Sequence, residues 1–166
     1  ALTKIISNQK DIPEGLFNLV LGGGGTIGHQ ISGHSGIDAI SFTGSVSVGQ
    51  TIYMEAAKTM KKMQLEMGSK NPLLVMDDAD LDIAVACATN GAYGGTGQKC
   101  TASSRLIVHE KVYKDFIQRL IKSISALKVG HALKDGSQMG PVSSETQLHS
   151  NLDYVKKGKS EAKLAF

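Results

Sequence analysis

The alternation of short apolar runs with stretches of helical periodicity constrains the fold of this chain most. Apolar runs of strand length lie at residues 17–21, 39–43, 73–76 and 105–109, and residues 62–67 are also strand-like. Between or beyond them, helices are predicted at residues 1–10, 48–60, 82–94 and 110–128, and around residues 147–155. Strands that alternate with helices form parallel sheets that are covered by those helices. The sequence therefore predicts an α/β fold with largely parallel sheets.

This alternation breaks near residues 66–70, where a predicted strand ends and a Gly68-Ser69 turn follows. We therefore predict a domain boundary there, with one domain over residues 1–67 and a second over residues 68–166. The chain begins without Met and stops on apolar residues with no closing turn. It is accordingly expected to be a fragment of a longer protein.

Composition argues against several function classes. The net charge of +3 is mild, the lysines form no long run, and aromatic residues make up 5% of the chain, which disfavours nucleic-acid binding. No apolar run approaches the ~18 residues of a membrane span. The two cysteines, Cys87 and Cys100, have no disulfide-framework or CxxC spacing, and the five histidines are scattered. We therefore predict a cytoplasmic protein with no metal site and no nucleic-acid or membrane partner.

A glycine run follows the first predicted strand. Gly23, Gly25 and Gly28 have the GxGxxG spacing of dinucleotide-binding turns. The run GGGGTIG also opens a short predicted helix that continues through Ile31. The dinucleotide fingerprint expects an acidic residue about 20 positions further on, and residues 41–50 contain none. A tight strand-to-helix turn without a ligand explains the glycines equally well.

The segment FTGSVSVG, residues 42–49, ends one predicted strand and begins the next helix. Free backbone N–H groups at that helix start, together with the Ser45 hydroxyl, would suit a phosphate group. Ser45 could instead be a simple helix N-cap, and taken alone this is the simpler interpretation.

Glu66 and Cys100 are the two residues whose setting suggests catalysis. Glu66 lies among apolar residues at a strand end and could act as a general base, although a solvent-facing acid paired with Lys70 explains it too. Cys100 lies in the polar loop TGQKCTASSR, where it should be more accessible than Cys87, which is expected to be a packed thiol in the helical AVACA. A nucleophilic thiol needs nearby donors, cations or a base, and Lys99 is adjacent. An ordinary thiol remains the alternative.

In combination these segments resemble the NAD(P)-dependent aldehyde dehydrogenase superfamily. The similar segments are FNLVLGGGGTIG, ISFTGSVSVG, LEMGSKNPLLVMDDADLD and GQKCTASSRLIV, in the order of the family. Cys100 lies 34 residues after Glu66, which is the family's separation of nucleophile and general base. The resemblance implies an aldehyde-dehydrogenase-like α/β fold. Residues 1–67 would be the C-terminal part of a Rossmann-type NAD(P)-binding domain, and residues 68–166 the start of an α/β catalytic domain.

The resemblance also implies a role for each candidate residue. Cys100 would be the nucleophile, with its backbone N–H as one oxyanion donor, and Glu66 would activate the water that hydrolyses the thioester. The cofactor, NAD or NADP, would be bound by Gly24, Gly44, Ser45, Gly49 and Gly68. One departure is Ser69, which stands where the family usually has glycine in the turn that follows the base.

Within the superfamily, GQKCTASSRLIV and the tail QLHSNLDYVKKGKSEAKLAF resemble the 2,5-dioxopentanoate (α-ketoglutarate semialdehyde) dehydrogenase group. The implied reaction is oxidation of a small-molecule aldehyde, such as this semialdehyde, to a carboxylate with NAD(P)+. The full-length protein would be a homo-oligomer, either a dimer or a tetramer. Family residues that bind the cofactor riboses and complete the oxyanion hole have no counterpart in this chain, so the isolated chain is expected to be inactive. The alternative is a truncated chain that acts as a structural or cofactor-binding module.

Overall fold

The structure, a computed structural model, describes residues 1–165. The chain divides into two compact units, Ala1–Met67 and Gly68–Phe166. Each unit contains one pair of parallel strands whose connection includes a helix. The α/β prediction with parallel sheets is therefore confirmed.

The first unit is built around a strand–helix–strand motif. Its elements are helix α1 (Leu2–Ser7), a π-helical turn (Gly24–Gly28), helix α2 (His29–Gly33), strand β1 (Ala39–Gly44), helix α3 (Val46–Ala57) and strand β2 (Lys62–Met67). β1 and β2 pair in parallel, from Ala39 opposite Lys62 to Gly44 opposite Met67. The connecting helix α3 buries Gly49 and Ala56. The unit thus has the βαβ form expected for a parallel pair.

Residues 17–21 were predicted to form a strand, and this prediction is wrong for the described structure. Within residues 1–165 this segment joins neither sheet. Its apolar side chains are exposed, and Leu21 reaches 80% of its maximal exposure. An apolar run forms a strand only where a neighbouring strand pairs with its backbone, and hydrophobicity alone does not show whether that neighbour is present.

The second unit repeats the strand–helix–strand arrangement. Its elements are strand β3 (Asn71–Val75), helix α4 (Leu81–Tyr93), strand β4 (Ser103–Val108), helix α5 (Glu110–Ser125) and helix α6 (Glu145–Glu161). β3 and β4 pair in parallel, with a register shift between Asn71 and Pro72. The buried core joins β3, α4 and α5 through Val75, Val85, Ala88, Phe116 and Leu120.

Local chemistry explains where the main helices begin and end. Asp80 caps α4, because its carboxylate accepts hydrogen bonds from the N–H groups of Asp82 and Ile83. His109, predicted as a strand end, instead caps α5 by accepting from the Lys111 N–H. The helix predicted at 48–60 ends at Ala57, before Met60 adopts a left-handed φ of 55°. Within residues 1–165, no helix combines the length and the apolar character needed to cross a membrane.

Candidate active site

Cys100 lies on an exposed turn between α4 and β4. The Ala102 N–H donates to the Lys99 carbonyl at 3.1 Å, which closes the turn around Cys100 and Thr101. Just before it, the backbone is left-handed at Gly95, Thr96 and Gly97. Within residues 1–165, the backbone N–H of Cys100 has no hydrogen-bond acceptor. The turn therefore presents a thiol and a free donor from the same residue.

Cys87 is also exposed, so the prediction of a packed thiol there is wrong. Helix α4 buries Val85, Ala88 and Thr89 on its inner face, and Cys87 lies outside that set. The sequence AVACA suggested packing because all of its residues are small and apolar, yet helical geometry buries only one side. Exposure therefore does not distinguish Cys100 from Cys87, and the distinction rests on the turn.

Asn71 joins β3 to the Cys100 turn, and Arg105 joins β4 to the residue that precedes β3. Asn71 Nδ2 donates to the carbonyl oxygens of Cys100 at 2.8 Å and Ala102 at 3.2 Å. Arg105 donates from Nε and Nη2 to the Lys70 carbonyl, at 3.0 and 2.7 Å. Sequence reasoning did not single out Asn71 or Arg105. These bonds depend on the pairing and register of β3 and β4, which the sequence does not determine.

A third side chain links the same loop to the segment before α6. Gln98 Nε2 donates to Thr96 Oγ1 at 2.7 Å. Gln98 Oε1 accepts from the Ser143 N–H at 3.1 Å, 45 residues further along the chain. The loop that carries Cys100 is thus bonded on one side to β3 and on the other to the start of the C-terminal helical segment.

Glu66 occupies the penultimate position of β2, in the first unit. It pairs with Thr43 of β1, and Met67 pairs with Gly44, so all four residues lie at the carboxyl edge of the parallel pair. The Glu66 side chain is exposed. Ligands of open α/β sheets bind at this edge. Because Glu66 pairs with Thr43, it lies close to the turn at Gly44 and Ser45 that leads into α3.

Ser45 is the N-cap of α3, the simpler of the two interpretations open from the sequence. Its Oγ accepts from the Val48 N–H at 3.3 Å and lies 3.2 Å from Ser47 Oγ. Within residues 1–165, the N–H groups of Val46 and Ser47 have no acceptor. A helix N-terminus with free N–H groups is suited to an anion, so capping by Ser45 and phosphate binding at this turn are compatible.

The four candidate glycines fall into two kinds of environment. A Cβ atom on Gly44 would lie 2.5 Å from the Phe42 ring, and Gly49 is a buried residue of α3. Gly24 and Gly68 are exposed, and a Cβ atom on either would meet nothing within 4 Å. Packing in the first unit thus accounts for Gly44 and Gly49. Nothing in the described part of the chain requires glycine at positions 24 and 68.

Comparison with known proteins decides the family. Residues 1–166 match the family described as "Aldehyde dehydrogenase family". The chain belongs to the aldehyde dehydrogenase family. Its match to that family extends over both units, as the resemblance of the separate motifs predicted.

One relative of this chain is named as an alpha-ketoglutaric semialdehyde dehydrogenase and another as a 2,5-dioxopentanoate dehydrogenase. The alpha-ketoglutaric semialdehyde dehydrogenase of Bacillus subtilis is 43% identical over 160 residues, which are 95% of this chain and 33% of that protein. The 2,5-dioxopentanoate dehydrogenase of Saccharolobus solfataricus is 42% identical over 161 residues, which are 96% of this chain and 33% of that protein. The chain thus spans about a third of the length of these relatives. The predicted resemblance to this group is confirmed.

A solved structure gives the same result for the fold. The betaine aldehyde dehydrogenase of Staphylococcus aureus, crystallised in complex with NAD+, superposes with a TM-score of 0.91 at 37% identity. The match covers 94% of this chain and 31% of that one. The aldehyde-dehydrogenase-like fold predicted from the sequence is therefore confirmed. The alternative of a purely structural module gains no support from relatives that carry enzyme names.

Proposed function

We propose that this chain supplies the nucleophile and the general base of an NAD(P)+-dependent aldehyde dehydrogenase. The observation that carries the proposal is the Cys100 turn, in which an exposed thiol and an unpartnered backbone N–H belong to the same residue. Acyl chemistry on a cysteine needs both a nucleophile and a donor for the oxygen that becomes negative. The first unit, with Glu66, would be the cofactor-binding part and the second, with Cys100, the catalytic part.

In the proposed mechanism the Cys100 thiolate attacks the aldehyde carbon, and the Cys100 N–H donates to the resulting oxyanion. A bound NAD(P)+ would supply the hydride acceptor, and loss of a hydride from the thiohemiacetal carbon would leave a thioester on Cys100. Glu66 then takes a proton from water as the water oxygen attacks the thioester carbonyl. The C–S bond breaks, the carboxylate is released and the thiolate is regenerated.

The residues at the carboxyl edge of the first unit fit a dinucleotide. The free N–H groups of Val46 and Ser47, with the Ser45 hydroxyl beside them, would bind the pyrophosphate. Gly24 and Gly68 leave open space, which would admit the cofactor close to the backbone. Gly44 and Gly49 would contribute indirectly, by letting α3 and its N-terminus lie close to the sheet.

The substrate class follows from the relatives. Two of them are named for α-ketoglutarate semialdehyde, which is the same compound as 2,5-dioxopentanoate. We therefore propose a semialdehyde that carries a carboxylate as the substrate, and a homo-oligomer, either a dimer or a tetramer, as the working form of the protein encoded by the full gene.

The test is a turnover assay of the purified full-length protein. Reduction of NAD+ and of NADP+ would be followed with 2,5-dioxopentanoate, and with an uncharged aldehyde of similar length for comparison. We expect reduction of at least one cofactor, with a higher kcat/KM for the semialdehyde. Absence of reduction with both cofactors and both aldehydes would contradict the proposed function, and a higher kcat/KM for the uncharged aldehyde would contradict the substrate.

A further inference from the structure

We propose that Asn71 and Arg105 form a reciprocal clamp, in which each side chain bonds the segment that leads into the other strand, and that this clamp positions Cys100 for attack. The proposal rests on the proposed function of Cys100. Asn71 and Arg105 are assigned as positioning residues, because each acts on the backbone near the thiol and not on the substrate.

Asn71 holds the Cys100 turn from the β3 side. A side-chain amide nitrogen has two N–H donors, and Asn71 Nδ2 lies within hydrogen-bond distance of two carbonyl oxygens, those of Cys100 and Ala102. These two residues lie within the turn that the Ala102 N–H closes. The Asn71 side chain is half-buried, and its backbone belongs to the sheet. The turn is therefore fixed to the sheet by a side chain in addition to its covalent connections.

Arg105 holds the opposite segment from the β4 side. Its planar guanidinium places two donors on one acceptor, the Lys70 carbonyl. Lys70 follows Gly68 by two residues and Glu66 by four. The clamp thus bonds the segment that carries the proposed nucleophile and the segment that follows the proposed base to the same pair of strands.

The clamp lies where the backbone ladder is irregular. Asn71 pairs with Ser103, whereas Pro72 pairs with Arg105, so the register shifts by one residue between them. Pro72 also has no backbone N–H to contribute to the ladder. The side-chain bonds of Asn71 and Arg105 supply connections at the point where backbone pairing is interrupted.

The rate of the proposed attack depends strongly on the position of the Cys100 thiol. A misplacement of ~1 Å at a reacting group can cost about a hundredfold in rate. The Cys100 turn is exposed, and in the described residues Asn71 is the side chain that bonds its carbonyl oxygens. Loss of the Asn71 amide should therefore lower kcat, while KM stays nearly unchanged.

The experiment compares three variants of the full-length protein with a matched control. Asn71→Ala removes both donors, Asn71→Asp keeps the shape but replaces the amide by a carboxylate, and Arg105→Lys keeps the charge but loses the planar fork. The control is Asn151→Ala, which removes an exposed side-chain hydrogen bond from Gln147 on α6. Hydrogen exchange of peptides that cover residues 98–104 is measured together with kcat and KM.

We expect Asn71→Ala to speed exchange of the Ala102 N–H and to lower kcat by about tenfold to a hundredfold, with KM changed less than about threefold. Arg105→Lys should have a smaller effect in the same direction, and the control should match the wild type. If Asn71→Ala does not fold, Asn71→Asp and Arg105→Lys carry the same test. The proposal would be overturned if residues 98–104 of Asn71→Ala exchanged at the wild-type rate, whether or not kcat fell.

The pH profile of Asn71→Asp separates positioning from a general folding defect. An ionised carboxylate at position 71 would face two carbonyl oxygens, whereas its protonated form can donate to one of them. The ratio of variant to wild-type kcat should therefore rise as the pH falls, and a flat ratio would contradict the clamp. If the wild-type protein oxidises no aldehyde, the proposed function fails. In that case, the pH dependence of hydrogen exchange in Asn71→Asp still decides whether Asn71 holds the Cys100 turn.

Discussion

Gly49 of α3 faces the Met67 side chain of β2 so closely that a Cβ atom at position 49 would lie 2.5 Å from the sulfur. The Phe42 ring would be 3.3 Å from the same Cβ. A side chain at position 49 would therefore force the Met67 side chain to move and would press against the Phe42 ring.

Gly49→Val should lower the free energy of unfolding by about 2 kcal/mol, because overpacking of a filled site typically costs 1–3 kcal/mol. Urea unfolding of the purified protein measures this change. The control is Gly158→Val on the exposed helix α6, where a Cβ atom meets nothing within 4 Å, and this change should be neutral or slightly stabilising. Equal effects at the two positions would show that packing does not explain Gly49.

Gly68→Ala and Gly24→Ala should leave the free energy of unfolding within about 0.5 kcal/mol of the wild type. In the described residues, a Cβ atom at either position would meet no atom within 4 Å. Both should weaken binding of NAD+ or NADP+, since the added methyl group would occupy space assigned to the cofactor. Fluorescence titration with each dinucleotide measures this, with Gly158→Ala as the control. Unchanged affinity in both variants would remove Gly24 and Gly68 from the cofactor site.

The second unit should lose stability in acid, because its ion pairs with Arg119 require ionised carboxylates. Its guanidinium bonds Asp115 and Asp82, and hydrogen bonding to Arg119 lowers the pKa of the Asp115 carboxyl below its ordinary value. A carboxyl whose folded pKa is lowered contributes stability above its unfolded pKa, about 3.9, and that contribution is lost as the pH falls through the folded pKa. The urea midpoint of the wild type should therefore exceed that of Arg119→Gln at neutral pH, and the difference should shrink as the pH falls below about 3.9. A difference independent of pH would contradict this assignment.

Much of this architecture could be predicted from the sequence, and the failures have a common cause. Periodicity predicted α4 and α5 close to their observed positions, because the signal is local. The strand prediction for residues 17–21 failed because a strand needs a partner that hydrophobicity does not reveal. The burial of Cys87 was predicted wrongly because a helix made of small apolar residues gives no sign of which face is buried.

The candidate site shows the same division between local and non-local signals. The capping role of Ser45 could be predicted from its place between a strand and a helix. The bonds from Asn71 to Cys100 and from Arg105 to Lys70 span 29 and 35 residues. They depend on the register of β3 and β4, including its shift at Pro72. Composition and spacing do not determine a register, so these bonds required the structure.

Glu66→Gln should separate the two halves of the proposed reaction. Without the carboxylate, the attack of Cys100 and the reduction of NAD(P)+ can still occur once, but the thioester persists because no base activates water. Rapid mixing should show a burst of NAD(P)H close to one per active site, followed by a rate lowered by about a hundredfold or more. Intact-protein mass spectrometry should detect the acyl group on Cys100. Wild-type steady-state turnover would exclude Glu66 as the base.

The most direct test of the central claim compares the two cysteines. Both thiols are exposed and belong to the same unit, but Cys100 alone is assigned as the nucleophile. NAD(P)+ reduction by Cys100→Ala and Cys87→Ala should be measured in the full-length protein with 2,5-dioxopentanoate as the aldehyde. We predict no turnover in Cys100→Ala and wild-type kcat in Cys87→Ala. Turnover that persists in Cys100→Ala would contradict the account.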